Sequence, residues 1–385
     1  MRKKHHISLN SIAKKIAVIT LFISCAFSYS WAKVTGPCSN CHTMHNSQNG
    51  NSVATDSNGN PSSTPHSYLL TSTCVGCHSN GTGNITIVNN TPIVLTASEP
   101  TYPSDGSPAS ALAAGNFYWV LHATANNPDP DTSGHNCLAI PGINQDTHLS
   151  TAPGKPDSAN GPNCAGCHDR IDSCTSCHTP AHHADDTQNP LVGASGGWYR
   201  FLNSSYHGNA NTGVKGIEDP DWEQTVSATD HNEYNGCNNI YGNDDNSISN
   251  DCAGCHFKFH GVTYTDTDGS VIADNHSPWF LHPTHLPLPN DTNKEYYYYN
   301  NPGGSGPGDY NPLAPVARDP AVLASMTGSS KLITPGSDQV MCLSCHRAHA
   351  SPYPDMLRWN YPYDCLAGAS NTNCGCFICH TTKGD

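Results

Sequence analysis

The chain has 385 residues, with 17 Lys and Arg against 31 Asp and Glu, and only 36% of it is hydrophobic. A net charge of −14 argues against a nucleic-acid-binding protein. With 33 Gly and 29 Pro there is too little aliphatic content for a large oily core, so the 19 Cys and 23 His are the natural place to look for a stabiliser.

Residues 1–32 read as a signal peptide. "MRKKHH", Lys14 and Lys15 are basic, "IAVITLFISCAF" is apolar, and "SYSWA" ends in a small-x-small exit, which predicts cleavage after Ala32. A lipoprotein reading through Cys25 fits less well, because Phe22 and Ile23 precede it. The leader carries five of the 17 Lys and Arg and none of the 31 acids, so residues 33–385 have a formal balance of −19. No stretch is long and apolar enough to make a comfortable transmembrane span. The expectation is a secreted chain that reaches the cell surface or medium through the periplasm.

Downstream, Cys-x-x-Cys-His occurs seven times. The first motif is Cys38, Cys41 and His42, the second Cys74, Cys77 and His78. Strand-like runs follow at "NITIVNNTPIVL" and "GNFYWVL". The third motif (Cys164, Cys167, His168) and the fourth (Cys174, Cys177, His178) form a doublet. The fifth is Cys252, Cys255 and His256, the sixth Cys342, Cys345 and His346, and the seventh Cys376, Cys379 and His380. Stretches such as "YGNDDNSISND" and "NPGGSGPGDY" between them are turn-forming.

This is the attachment pattern for c-type haem. Two thiols form thioethers to the haem vinyl groups, and the adjacent imidazole becomes an axial iron ligand. A thioredoxin-type reading needs a βαβ context that is not visible, and zinc ribbons need no histidine after each Cys-x-x-Cys. Seven covalent haems on about 350 residues, roughly one per fifty, would themselves form most of the core. The expected fold is therefore mostly irregular coil with short helices and few short strands, a single elongated domain over 33–385 wrapped around stacked haems.

Apart from Cys25, four cysteines lie outside the motifs. Cys365 and Cys374 bracket a short loop and are expected to form a disulfide, leaving Cys137 to pair with Cys237. "CGCFICH" also allows haem attachment through Cys374 and Cys379, although the spacing from Cys376 is the standard one.

Of the 23 histidines, His5 and His6 leave with the leader and seven close the motifs, so fourteen remain for a possible seven distal positions. Four motifs are followed closely by another histidine: His45, the pair His182 and His183, His260, and His349. Residues three or four apart on a helical turn share a face, so such a histidine cannot sandwich the same iron and must serve a different haem if it ligates. A solvent-exposed histidine is the bland alternative for each. His135, His231 and His282 are further candidates, with His66, His122, His148, His207, His276 and His285 behind them as non-ligands.

Taken together, "GPCSNCHTMHNSQNG", "GNFYWV" followed by "GHN", "WYRFLN", "VKGIEDPDWEQ", "DHNEYNG", "CAGCHFKFH", "SPWFLHP", "VMCLSCHRAHASPYPDMLRW" and "CFICH" resemble outer-surface multihaem c-type cytochromes of metal-reducing bacteria that polymerise into conductive filaments. That resemblance implies bis-histidine ligation throughout and haems stacked in alternating parallel and T-shaped pairs. It implies that His45 ligates a haem of the neighbouring subunit, and that His135, His231, His282 and His349 are distal ligands. The odd number of motifs, the doublet and the Cys137 and Cys237 pair depart from the family pattern.

The function expected is electron transfer by haem-to-haem hopping, not enzymatic turnover, in a homopolymeric filament that meets other cytochromes and extracellular acceptors. A discrete surface or periplasmic carrier and a multihaem reductase are the rival readings, the last requiring an open axial position. An acidic surface could also recruit Ca²⁺ or Mg²⁺ near "NDDNSISND".

Overall fold

The computed structural model describes residues 75–153 and 214–383 with internal gaps, positions 168, 199 and 202, and a few two-residue strands before residue 72. The leader lies outside these residues, as do Cys38, Cys41, His45, Cys74, Cys164, Cys167, Cys174, Cys177, His178, His182, His183, Cys255 and His260. For His42 and Cys77 only the backbone is described.

Turn-forming residues keep every regular element short. Among the described residues the α-helices are α1 (Val75–His78), α2 (Tyr118–Leu121), α3 (Ile248–Ala253), α4 (Pro320–Leu323), α5 (Tyr361–Asp364) and α6 (Cys376–Cys379). Helix α4 shows the local logic: Asp319 accepts from the Ala321 and Val322 amides, and Pro320 opens the first turn. A three-stranded sheet is built from β1 (Gly216–Ile217), β2 (Glu233–Asn235) and β3 (Ala317–Arg318), in the order β3-β2-β1. Strand β2 runs antiparallel to β1, with Glu233 opposite Ile217, and parallel to β3, with Tyr234 opposite Ala317. Among the described residues no helix is long and apolar enough to cross a membrane. The chain is mostly coil with short helices and strands, as its composition predicts.

The strand-like run at 84–95 forms a small hairpin, Ile87–Val88 against Thr91–Pro92. "GNFYWVL" does not form a strand. Gly115 turns the chain at φ +89°, Asn116 Oδ1 accepts from the Tyr118 amide, and one helical turn follows. That turn buries Trp119 completely and lets its indole N–H donate to Glu99 Oε1 at 2.9 Å. Burial of the indole with its one donor satisfied outweighs the β propensity of the run.

Three apolar clusters hold the described chain together, and each includes a residue of a motif or its helix. Val75 of the second motif packs with Phe117, Trp119, Val120, Cys137 and Ile140. Ile248 of α3, which runs into the fifth motif, packs with Tyr234, Met341 and Leu343, the last of these inside the sixth motif. Ile378 of the seventh motif packs with Leu288, Tyr299, Tyr310 and Val316. Motif helices are thus anchored by protein side chains as well as by any prosthetic group.

The segment after the sixth motif threads between two earlier loops. His349 N donates to Ala114 O, His135 N donates to His349 O, and Ser351 N donates to Ser133 O. A Cβ on Gly115 would meet Ala350 O at 1.7 Å, and one on Gly134 would meet His349 O at 2.3 Å, so both positions require glycine.

A disulfide joins Cys365 to Cys374, with Cα atoms 5.1 Å apart, which removes Cys374 from haem attachment. Cys137 and Cys237 do not form one. Cys137 is buried in the Trp119 cluster, whereas Cys237 is held at the end of β2 by reciprocal bonds with the Gln339 side chain. Separate packing environments hold the two thiols, so the expected pairing does not form.

Candidate haem sites and their histidines

Each described motif closes a helical turn. His256 N donates to Cys252 O at 2.9 Å, His346 N to Cys342 O at 3.1 Å, and His380 N to Cys376 O at 2.8 Å. The i and i+3 spacing places both thiols of such a turn on one face, as two vinyl groups on one porphyrin edge require.

The proximal imidazoles are oriented through Nδ1. That atom lies 2.8 Å from Pro92 O in His78, 2.9 Å from Pro153 O in His256 and 2.8 Å from Asp355 O in His346. A carbonyl only accepts, so Nδ1 carries the proton and Nε2 carries the lone pair that a metal needs. Asp355 and Met356 adopt left-handed φ of 60° and 57°, and this strained turn aims the Asp355 carbonyl at His346. In His380 the acceptor is a carboxylate, Glu295 Oε1 at 3.2 Å. Burial pushes the Glu295 carboxyl up, but hydrogen bonds from Thr382 and His380 outweigh it and hold the group below its ordinary range.

Of the sequence-predicted distal histidines, the structure brings three to a proximal partner. His135 lies 6.1 Å from His256, His349 lies 6.0 Å from His168, and His282 lies 6.3 Å from His380, ring centre to ring centre. Two imidazoles on opposite sides of one metal, each bonded at about 2 Å with its nitrogen about 1 Å from the ring centre, stand about 6 Å apart. The three spacings match that value. His349 faces His168 and not His346, its neighbour three residues back. His135 Nδ1 lies 2.7 Å from Ala348 O, repeating the proximal pattern.

Burial favours the neutral form a ligand must have. Desolvation lowers the pKa of His78, His135, His256 and His346, and pushes His349 down to about 3. Unpartnered polar atoms remain in this buried region: His349 Nδ1, both side-chain polar atoms of Asn136, and Arg358 Nε. Buried polar atoms seldom lack partners, so the residues present fit a polar-edged prosthetic group.

His231 is placed differently from the other candidates. Its ring is 2% exposed and stacks on Tyr310 at 3.6 Å. Nδ1 lies 3.0 Å from Ser227 O, and Nε2 lies 3.2 Å from Glu233 Oε1. Glu233 in turn receives Arg318 Nε at 2.6 Å and Nη2 at 3.1 Å, and Arg318 Nη1 reaches Asp338 Oδ2 at 2.8 Å. Both ring nitrogens have partners within this buried ion network.

The sites adjoin one another. His78 and His168 lie within electrostatic range, as do His349 and His135, and His256 and His346. The Cys342 thiol hydrogen-bonds with Cys252, which lowers its pKa against the effect of burial. Burial pushes the Cys345 thiol up to about 12, aided by the nearby Cys376 and Cys379. Side chains of the second, third, fifth, sixth and seventh motifs thus lie close to those of another motif. Neither the Nδ1 acceptors nor Glu295 carried a sequence signal, because turns and loops 9 to 103 residues away supply them. The one cluster of metal-type ligands among the described residues, Cys365, Cys374 and Cys376, is the disulfide plus an attachment thiol. In "NDDNSISND", burial pushes the Asp251 carboxyl up to about 7.

Comparison with known proteins agrees with this geometry. Residues 334–385, spanning the sixth and seventh motifs, match the family model described as a doubled CXXCH motif. The chain is 26% identical to the C-type cytochrome OmcS of Geobacter sulfurreducens, over 97% of this chain and 89% of that protein. A solved outer membrane cytochrome S filament from Geobacter sulfurreducens superposes with a TM-score of 0.52 at 22% identity, over 88% of this chain and 86% of that one. A cryo-EM structure of OmcS nanowires from the same organism gives 0.46 at 22% identity, over 91% and 94% of the two chains. The chain carries covalently bound c-type haem, and it has the fold of the cytochrome S filament subunit.

Proposed function

We propose that this chain is a seven-haem c-type cytochrome that carries electrons by haem-to-haem hopping, as the repeating subunit of an extracellular filament. The observation that carries the reading is the set of imidazole pairs at 6.0, 6.1 and 6.3 Å, each joining a motif histidine to a distant one. Haem c supplies a one-electron ferric/ferrous couple at each motif. The motif cysteines hold each group covalently. His135 with His256, His349 with His168 and His282 with His380 would each hold one haem iron between them and leave no site for substrate there, which is why we read the chain as a carrier and not a reductase. Backbone carbonyls fix the imidazole planes, and burial excludes water. The proposed path through the described motifs runs second, third, fifth, sixth, seventh.

The first and fourth motifs complete the set of seven in this reading. Distal ligation by His182, His183 or His260 and intersubunit ligation by His45 belong to the proposal, as do the leader at 1–32, secretion and contact with outside acceptors. So does a Ca²⁺ or Mg²⁺ ion near residues 243–251. The similarity to OmcS across nearly the whole chain supports assembly into filaments.

Electron microscopy of native material sheared from cells tests the polymer: filaments are expected, dispersed to single particles by His45→Ala. Uniform particles from the native protein would move the reading to a discrete carrier. A haemochrome assay should return seven haems per chain, and the reduced protein should bind no CO. Metal analysis that found no divalent ion would remove the Ca²⁺ or Mg²⁺ site.

A further inference from the structure

Three arginines are buried near the haem sites, and they are not treated alike. Arg318 is saturated by two carboxylates, Glu233 and Asp338. Arg347 has no carboxylate: its Nε donates to Tyr102 Oη at 2.9 Å, its Nη1 donates to Ala113 O at 2.7 Å, and the guanidinium lies 4.9 Å from the Tyr102 ring centre. Arg358 is the least satisfied. It is 4% exposed, Nη2 donates to Pro312 O at 2.9 Å, and Nε has no partner.

Burial and the neighbouring Arg347 charge both push the Arg358 pKa down, and the nearby Glu223 only partly offsets them. Glu223 is itself occupied, accepting from the Asn232 amide at 3.0 Å, and among the described residues it ion-pairs with neither arginine. The carboxylate nearby thus does not bond to the Arg358 guanidinium. A buried, unpaired guanidinium with an idle donor is unfavourable unless an anion meets it. The Arg358 backbone is fixed at a haem site, since its amide donates to Cys345 O at 2.9 Å. In the haem-loaded chain the carboxylates brought to such a place are haem propionates.

We infer that Arg358 is a propionate-binding residue, its idle Nε donating to a haem carboxylate, with Arg347 adding positive potential beside it. The inference rests on the haem reading above. A charge-assisted bond of this kind fixes the porphyrin edge and favours the reduced iron, because nearby positive charge opposes oxidation.

The test uses the holoprotein, native and Arg358→Gln, with Arg358→Lys as the charge-preserving variant. Redox-difference infrared spectra are taken with haem carrying ¹³C at its propionate carboxyls. In Arg358→Gln a carboxylate band that shifts with the label should move, and one haem should become about tenfold harder to reduce, 59 mV for a one-electron couple. Arg358→Lys should restore most of the potential. Haem count and the bis-histidine visible spectrum should stay native in both variants. If no labelled band moves and every potential holds, the inference is overturned. It is also overturned if only an unlabelled band moves and the change disappears on dialysis, because the anion is then exogenous. A native chain without haem would overturn the haem reading instead, a separate outcome.

Discussion

Two buried regions of this molecule use histidine in opposite ways. Around Trp119 and the 133–137 loop, His78, His135 and His346 each place Nδ1 beside a backbone carbonyl and so keep Nε2 for a metal. Beside the three-stranded sheet, His231 spends one nitrogen on Ser227 O and the other on Glu233, inside a network closed by Arg318 and Asp338. His231 is the more deeply buried, yet burial alone does not separate the two. What differs is the second partner: a neutral carbonyl leaves a lone pair available, whereas a carboxylate on the remaining nitrogen consumes it. A histidine's fitness as a ligand is decided by what its other nitrogen does.

The largest effect expected is at the ion network. Arg318→Leu leaves Glu233 and Asp338 buried without their cation and should cost about 3–5 kcal/mol, read as a fall in the denaturant midpoint. An unchanged midpoint would mean the network contributes little. Gly115→Ala, which forces a left-handed φ and a clash with Ala350 O, should cost about 1–3 kcal/mol from strain alone and more if the loop cannot shift. In the imidazole region His135→Ala should open one axial position, so that the reduced protein binds CO at one haem. His231→Asn should bind none, and CO binding there would show His231 to be a ligand. Glu295→Gln removes the carboxylate on His380 Nδ1, which should raise the potential of that haem by about 60 mV, a tenfold change in its equilibrium.

A further effect concerns pH. Burial, aided by a hydrogen bond to Asp221, pushes the Asp219 carboxyl up to about 8. Between the ordinary carboxylate pKa of about 4 and that value, the folded chain binds the extra proton. Stability should therefore decline as pH rises through this window, and Asp219→Asn should flatten the decline. A native thermal midpoint that is level from pH 4 to 8 would refute the shift.

The motifs, the short turns that carry them and the Cys365 to Cys374 disulfide were legible, because each is a local pattern of three to ten residues. The imidazole pairs were not. His135 and His256 are brought together only by the tertiary fold, and no local pattern links them. The surroundings of His231 were not legible either, because a motif names a residue but not the bonds around its ring. "GNFYWVL" misled because one buried indole, satisfied by Glu99, overrode the propensity of the whole run.

Ala350 seated between Gly115 and Gly134 also sets a schedule for biogenesis. The chain emerges N-terminus first, yet residues 114–135 are completed by hydrogen bonds from residues 349–351. The middle of the protein must therefore wait, open, until nearly the whole polypeptide has been delivered. That interval keeps earlier Cys-x-x-Cys-His segments within reach of the machinery that attaches haem. The final fold acts as a checkpoint: a chain truncated before residue 349 should retain its N-terminal motifs but leave residues 114–135 readily cut by protease.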